Sequence, residues 1–565
     1  MSLFSSIQMA GNSLQADQIG LQVVGQNLAN ANTPGYAREV VNYSAGPTDQ
    51  YGALSMGTGV QVQSITQKID EFLNERLRSA NSDQASADTL QQTYTQLESV
   101  VGALDTNNSL GSAMNQFFSS ISNILNQPES TSIRSQAVSQ GQSLVQNVQQ
   151  LAGRVNQLRS DLNGQVETMP ANINRLTSQI ANLNVQISGI ESSSEFQGEA
   201  VGLTDQRNQA LSDLSQLIGV RTTQQPDGTV SVYSGDNYLV YQGDARTVSA
   251  TYSSNRGMAV ANLKIDGINS PLASTSGQLQ GLTSARDDAL GGFEDQLDQF
   301  SGTLANEFNK VYSSGQGLTG FSQVTAQEAV SDSQAALNDA GLTFAPTNGS
   351  FQVIVNNTQT GASTTTNVPV DLLGTGNDTS LQSLCNSLNG IAGISAQINS
   401  GKLTIASASG NTQFAFANDT SGTLASLGIN TFFTGSTASD LAINPDVVAD
   451  PGKFAASASG VGADTTNATT LAGFADQPLA SHDGDTINNI YSQMVTNVTE
   501  GSASAQASAN SADSFASTLS SQQLSVSGVN IDEEAIQMMT YQQAYAGSAK
   551  YISTLNNLLT LLTQL

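Results

Sequence analysis

The chain has 565 residues, enough for about three or four domains. It carries 46 acidic and 18 basic side chains, for a net charge of −28. This balance argues against nucleic acids and anionic membrane surfaces as partners, because both are recognised through clustered Lys and Arg. Only 11% of the residues are charged, yet 38% are hydrophobic and regularly spaced, so we interpret the chain as folded and not disordered.

The sequence shows neither a secretory leader nor a membrane span. No basic segment is followed by a continuous apolar run near the start, so we expect no cleavable signal peptide. No apolar run approaches the length that crosses a bilayer. The one cysteine, Cys385, excludes an intrachain disulfide, and its place in the amphipathic segment 380–388 predicts a buried side chain.

The first half of the chain is predicted to be mainly helical. Helices are expected over residues 1–30, 67–104, 109–126 and 130–192, with a turn over 30–36 and a short strand or extended arm over 57–62. Apolar residues recur at intervals of three and four along the whole of 130–192. Pro170 lies inside this run and is expected to kink the helix or divide it.

At Gly219 the hydrophobic period changes to two, which indicates β-structure up to about residue 272. A hairpin is predicted over 229–233 and 238–241. Helix returns over 277–312, and a second β-rich block over 316–480 includes predicted strands at 351–355, 402–405 and 413–416. Helix resumes near Thr486 and continues to the end with a break at Ser527-Gly528.

The two ends of the chain are alike. Residues 1–37 contain one charged residue, Asp17, and residues 535–565 contain one, Lys550, yet both segments are apolar at heptad spacing. Their other faces are Gln, Asn, Ser and Thr, which can be enclosed at lower cost than charges. We therefore predict that the two helices pair and then pack between subunits. The candidate assembly interface comprises Ile7, Leu14, Leu21, Val24, Leu28, Tyr36, Met538, Tyr541, Tyr545, Ile552, Leu555, Leu559 and Leu562.

No segment predicts catalysis, a cofactor or a metal. The acidic cluster from Asp532 to Glu534 suggests a metal site in isolation, but Asn530 is a good N-cap and Glu533 stands at the capping-box position, so we favour helix capping. The single histidine, His482, cannot supply paired zinc ligands, and nothing resembles a nucleophile elbow. We expect a structural protein and not an enzyme.

Three sets of motifs resemble a known family. Asn27-Leu-Ala-Asn-Ala-Asn-Thr-Pro-Gly-Tyr36 resembles the N-terminal signature of bacterial flagellar rod, hook and hook-associated proteins, and 527–534 with 541–545 resembles their C-terminal signature. Segments 203–211, 281–287, 304–309 and 427–433 are similar to the hook-associated protein 1 family, whose members join the flagellar hook to the filament. The resemblance extends over essentially the whole chain.

The predicted fold is a multidomain α+β structure. N-terminal, central and C-terminal helices would form an elongated helical body with a terminal coiled coil, and two β-rich domains would project from it. The expected segments are an N-terminal axial helix and turn (1–37), the first part of the helical body (38–218), a small β-rich domain (219–275), a returning helix (276–315), an outer β-rich domain (316–480), the last part of the body (481–528) and a C-terminal axial helix (529–565).

The resemblance implies a structural role at the hook–filament junction. It implies export through the flagellar type III apparatus, an extracellular location, self-association into a ring, and contacts with hook protein and a second junction protein. It also implies a cytoplasmic export chaperone on the C-terminal helix. Two alternatives stay open: a hook protein or flagellin-like subunit, and a secreted adhesin or enzyme with its site in residues 316–480.

Overall fold

A computed structural model describes residues 3–33, 35–51, 54–102, 109–193 and 200–564. Within them the α-helices are α1 (Leu3–Asn30), α2 (Glu71–Gly102), α3 (Leu110–Ile124), α4 (Thr131–Ser193), α5 (Val201–Leu217), α6 (Gly277–Ser284), α7 (Gly291–Ser313), α8 (Leu381–Asn389), α9 (Thr423–Leu427), α10 (Pro445–Ala449), α11 (Thr466–Ala472), α12 (Ile487–Ser527) and α13 (Ile531–Thr563). None of these helices is long and apolar enough to cross a membrane.

The strands of the described residues are short and pair antiparallel. They are β1 (Glu39–Ala45), β2 (Thr48–Tyr51), β3 (Leu54–Gly57), β4 (Val60–Gln67), β5 (Arg221–Gln224), β6 (Val230–Ser234), β7 (Asn237–Tyr241), β8 (Asp244–Ala245), β9 (Val248–Asn255), β10 (Met258–Ile265), β11 (Ser270–Pro271), β12 (Gln323–Thr325), β13 (Gly349–Asn357), β14 (Ser363–Val370), β15 (Ile394–Asn399), β16 (Lys402–Ser407), β17 (Thr412–Ala417), β18 (Phe433–Thr434) and β19 (Ala442–Ile443). The predicted hairpin is confirmed as β6 and β7, and the predicted strands of the second block as β13, β16 and β17.

The predicted helices are confirmed within the described residues with two differences, and α5 is a further helix for which no bounds were predicted. Residues 103 and 104, at the end of the predicted helix 67–104, lie outside the described residues. The long helix is not divided: α4 continues through Pro170. Proline removes one backbone hydrogen bond there, but Val166, Met169 and Ile173 beside it are buried, and this packing holds the helix together. The predicted helix over 277–312 contains a π-helical segment, Ala285–Leu290, between α6 and α7.

The chain forms two compact units. The first contains residues 1–93, 160–287 and 503–565, and the second contains residues 94–159 and 288–502. In the first unit α1 packs against α13, and α2 runs antiparallel to α12. A small core between α2 and α12 consists of Leu73, Leu77, Ala80, Ala516 and Leu519.

Three asparagines of α4 hold strands β6, β9 and β10 of the first unit. The side chains of Asn163, Asn174 and Asn184 are each about three turns apart, so they lie along one face of the helix. Each amide bonds to strand backbone: Asn163 Oδ1 accepts from Ala261 N at 2.7 Å, Asn174 Oδ1 from Val248 N at 2.7 Å, and Asn184 Oδ1 from Val230 N at 3.0 Å. The helix thus satisfies backbone donors that would otherwise be unpaired.

The described residues of the second unit include two cores. One is aromatic and joins Phe117 of α3, Phe308 and Tyr312 of α7, and Phe432 and Phe454 from the later chain. The other lies within residues 321–429 and includes the strands β13, β14 and β17 with helix α8. Cys385 is buried in this second core, as its amphipathic segment predicts.

Candidate functional site at the junction of the chain ends

The heptad residues of the chain ends lie mostly along the contact between α1 and α13. Val24 and Leu555 are buried, and Ile7, Leu14, Leu21, Met538, Tyr541, Ile552 and Leu559 are half-buried. Leu28 is 37% exposed and Tyr545 41% exposed, so these two contribute less to the pairing. The side chain of Leu562 lies outside the described part of the chain. This arrangement uses the predicted stripe within one chain; its role between subunits stays a prediction.

Polar side chains fix the register of the helix pair. Asp17 occupies a heptad position of α1 and forms a hydrogen bond with Ser548 of α13. Burial raises the pKa of Asp17 above its ordinary value, and the bond to Ser548 partly offsets this. Nearer the end of α1, a Cβ on Gly20 would lie 2.8 Å from both Tyr43 Oη and the Tyr541 ring, so glycine is needed for this close approach.

Asn27 is the centre of a buried hydrogen-bond network. Its Oδ1 accepts from the Glu39 backbone N–H at 2.9 Å and from the Tyr36 hydroxyl at 2.8 Å. Its Nδ2 donates to the Glu39 carbonyl at 2.9 Å and to Glu534 Oε2 at 3.1 Å. One amide therefore connects α1, the segment that follows it, and the start of α13.

Arg38 ties the same segment to α13 by two ion pairs. Its Nε lies 2.7 Å from Glu534 Oε1 and its Nη1 lies 3.1 Å from Glu533 Oε2. The two acids differ in environment, because the Glu534 side chain is 1% exposed and that of Glu533 is 58% exposed. The Arg38 backbone N–H also donates to the Ser527 carbonyl at 2.9 Å, where α12 ends.

The predicted capping function of the acidic cluster is partly confirmed. The Asn530 side chain accepts from the backbone N–H groups of Asp532 and Glu533, at 3.0 and 3.4 Å, and so caps α13. The capping-box role of Glu533 is wrong, because its carboxylate pairs with Arg38. Among the described residues no group of three or more His, Cys, Asp and Glu side chains is arranged to hold a metal ion.

The loop before Arg38 lies close to α5. Gly35 has φ +79°, and a Cβ there would lie 2.6 Å from Gln209 Oε1, so both conformation and space require glycine. Tyr36 is half-buried beside this contact. Burial and the nearby carboxylates of Glu39, Asp205 and Glu534 raise the pKa of Tyr36, which keeps its hydroxyl protonated as the donor to Asn27.

A cavity of about 1210 Å³ adjoins the junction between α1, β4 and α5. Its lining includes Tyr36, Glu39 and Asp205 together with many Gln and Asn side chains. Burial, with a smaller effect from the Glu39 charge, raises the pKa of Asp205 to about 7, although hydrogen bonds from the Gln67 amide and the Ala37 backbone act in the opposite direction. Burial raises the pKa of Glu39 as well.

These contacts can hold the N-terminal and C-terminal helices together at a fixed place on the first unit. Sequence reasoning identified Tyr36 and the heptad residues, but it missed Asn27 and Glu534 as site residues and interpreted the acids as caps alone. The available signal was the presence of two polar signatures at opposite ends of the chain. Asn27 lies in the first, Arg38 lies two residues after it, and both contact Glu534 of the second.

Comparisons with known families cover both sides of this junction. Residues 7–36 match the flagella basal body rod protein model, and residues 520–565 match the C-terminal model of flagellar basal body rod proteins. Asn27 and Tyr36 fall within the first match and Glu533 and Glu534 within the second. The terminal helix pair and its junction therefore define a protein of the flagellar rod and hook class.

Matches over the rest of the chain identify the family within this class. Residues 94–326 match the helical domain of flagellar hook-associated protein FlgK. Proteins named flagellar hook-associated protein 1 are 25% identical in Escherichia coli K12 and 24% identical in Salmonella typhimurium, each over 98% of both chains. The Bacillus subtilis protein of that name is 30% identical over 42% of this chain and 47% of its own length. The chain belongs to the flagellar hook-associated protein 1 family.

A solved structure agrees in fold. The flagellar hook junction protein FlgK from Burkholderia pseudomallei aligns with a TM-score of 0.53 at 16% identity, covering 80% of this chain and all of that one. At this identity the likeness concerns the fold.

Proposed function

We propose that this chain is a structural subunit of the bacterial flagellum that joins the hook to the filament. The observation that carries the proposal is the full-length similarity to hook-associated protein 1, together with a junction that ties both rod-type signatures into one site. The function is mechanical and not catalytic: the subunit holds two assemblies together.

The terminal helix pair supplies the means of assembly. Residues 1–37 and 535–565 present amide, hydroxyl and apolar groups with one charge each, so copies can pack closely without burying ionised side chains. Exposed apolar residues on α13, among them Ile536, Met539, Leu558 and Leu561, add surface for neighbours. The Asn27–Arg38–Glu534 junction then fixes the angle at which the helices leave the body.

The partners follow from this position. The subunits would form a ring, with hook protein on one side and a second junction protein on the other. Export through the flagellar type III apparatus would bring the chain to its extracellular site. A cytoplasmic chaperone would cover the apolar face of α13 before export, since exposed apolar residues promote association.

Electron microscopy of cells that lack this chain tests the proposal. We expect complete hooks without filaments, with filament protein released into the medium, and restoration when the wild-type chain is supplied. Absent hooks would assign the chain to the hook or rod instead. Filaments of normal length on normal hooks would contradict a junction role altogether.

A further inference from the structure

Two exposed aromatic rings surround one arginine on the seam between α2 and α12. Phe72 is 70% exposed and Phe515 is 49% exposed. The guanidinium carbon of Arg76 lies 5.8 Å from the centre of the Phe72 ring and 5.9 Å from the centre of the Phe515 ring, within cation–π distance of both. We call these three residues the aromatic–arginine patch.

The patch stands on a rigid base. Leu73, Leu77 and Ala80 of α2 pack beneath it against Ala516 and Leu519 of α12. One hydrogen bond on each side of the patch fixes the register of the helices. Gln523 Nε2 donates to Asn74 Oδ1 at 2.8 Å, and Gln84 Nε2 donates to Asp513 Oδ1 at 3.0 Å. A preorganised surface of this kind loses little conformational entropy when it binds.

The composition of the patch is unusual for these helices. Phe515 is the one aromatic residue in 492–527, and residues 487–527 contain no Lys or Arg. Phenylalanine is a mediocre helix former, so an exposed Phe gains nothing for the isolated helix. Aromatic residues and Arg are the types enriched at the energetic centres of protein interfaces.

We propose that the aromatic–arginine patch is a contact to a second copy of this chain in the assembled flagellum, an inference that rests on the proposed function. The net charge of the chain is the reason for choosing a second copy as the partner. Copies with a net charge of −28 repel one another, so a contact between them needs local attraction. Arg76 offers a cation to a neighbour with 46 acidic and 18 basic side chains, and the two rings exclude water, which strengthens that attraction.

Site-specific photo-cross-linking tests the identity of the partner. The photoreactive residue p-benzoylphenylalanine replaces Phe72 in cells that bear flagella, and irradiated flagella are isolated. We expect a product with twice the mass of the chain that contains only this chain. The control position is Tyr252 of β9, which is 56% exposed in the same unit. Cross-links from position 72 to another flagellar protein, or none above the control, would overturn the proposal.

A second set of variants tests the contact without a probe, and decides the matter if the photoreactive residue itself blocks assembly. Arg76→Glu and the double variant Phe72→Ser, Phe515→Ser should reduce the amount incorporated per hook about tenfold at equal secretion, a change of about 1.4 kcal/mol. Arg76→Lys keeps the cation and should incorporate nearly normally. Normal incorporation of both disruptive variants would refute the contact, and circular dichroism and thermal unfolding confirm that each variant folds.

These outcomes are separate from the test of the junction role. A chain that joins hook and filament but uses another surface between copies would give hooks without filaments on deletion, yet no homotypic cross-link at position 72. A chain with a different place in the flagellum would fail the deletion test whatever the patch contacts.

Discussion

Removal of the Arg38 side chain is the most informative perturbation of the junction. Arg38→Ala leaves Glu534, whose side chain is 1% exposed, with the Asn27 amide as its remaining side-chain partner at the junction. A buried carboxylate that loses its cation is strongly destabilised, because neither solvent nor a counter-charge stabilises it. The change should therefore loosen α13 from the segment after α1.

The expected magnitude follows from burial. Breaking a buried ion pair costs about 3–5 kcal/mol, and because Arg38 is 12% exposed we expect about 3 kcal/mol. Glu533 provides a matched control, since it pairs with the same arginine but is 58% exposed. Glu533→Gln should cost roughly 0–1 kcal/mol, as exposed ion pairs do.

Amide hydrogen exchange on the purified protein measures this difference. In Arg38→Ala, the amides at the end of α1 and the start of α13 should exchange roughly 100-fold faster than in the wild type, since about 1.4 kcal/mol corresponds to tenfold. The double variant Arg38→Ala, Glu534→Gln removes the stranded charge and should recover part of the loss. Equal exchange in Arg38→Ala and Glu533→Gln would show that the buried ion pair stabilises the junction no more than the exposed one.

Three further outcomes are expected. Truncation before Ile552 removes Leu555 and Leu559 from the helix pair, and each Leu contributes up to roughly 1.5–3 kcal/mol when buried. Hooks should therefore lose their filaments, while secretion of the truncated chain, measured in the medium, persists. Deletion of 321–429 with a short Gly/Ser bridge should preserve motility. The two cut ends are held together, because Asn430 Nδ2 donates to the Ser313 and Gly315 carbonyls at 3.0 and 2.9 Å. Folded, secreted protein without filaments would contradict this. Asp205→Asn should raise the unfolding temperature at pH 8 and change it little near pH 4. Because the pKa of Asp205 is raised to about 7, its ionised carboxylate destabilises the folded state above that pH, and the folded state gains stability as the group takes up a proton below it. Asp236→Asn, at an exposed turn, is the control.

The deletion boundaries show where the sequence and the structure differ. Period-two patterns place β-structure throughout the block 316–480 but do not distinguish one core from another. The structure shows a core confined to 321–429, whereas Phe432 and Phe454 pack with Phe308 of α7 and with Tyr312. Deleting the whole predicted block up to residue 480 would remove Phe432 and Phe454, and with them part of the aromatic core of the second unit.

The helices were predictable because their signals are local. Heptad spacing, Pro-Gly turns and the Asn530 cap depend on neighbouring residues, and the observed bounds differ from the predicted ones by a few residues. The junction was not predictable in this way, because Asn27 and Glu534 are 507 positions apart. Nothing within a helix tells which of two adjacent acids, Glu533 or Glu534, faces a buried arginine.

The asparagines of α4 give a second example. Asn163, Asn174 and Asn184 occur among many Gln and Ser residues of a polar helix, so composition alone does not separate them from solvated side chains. Only the positions of β6, β9 and β10 show that each amide bonds to strand backbone. Local pattern therefore predicts the elements, and contacts between distant parts of the chain decide which polar residues matter.

Direct localisation tests most sharply whether this chain forms the junction between hook and filament. An epitope inserted at the turn around Gly376, which has φ +94° and open space around it, can be marked with antibody-coated gold on intact flagella. We expect label in a single narrow band where hook meets filament. Label along the whole hook, or along the whole filament, would contradict it.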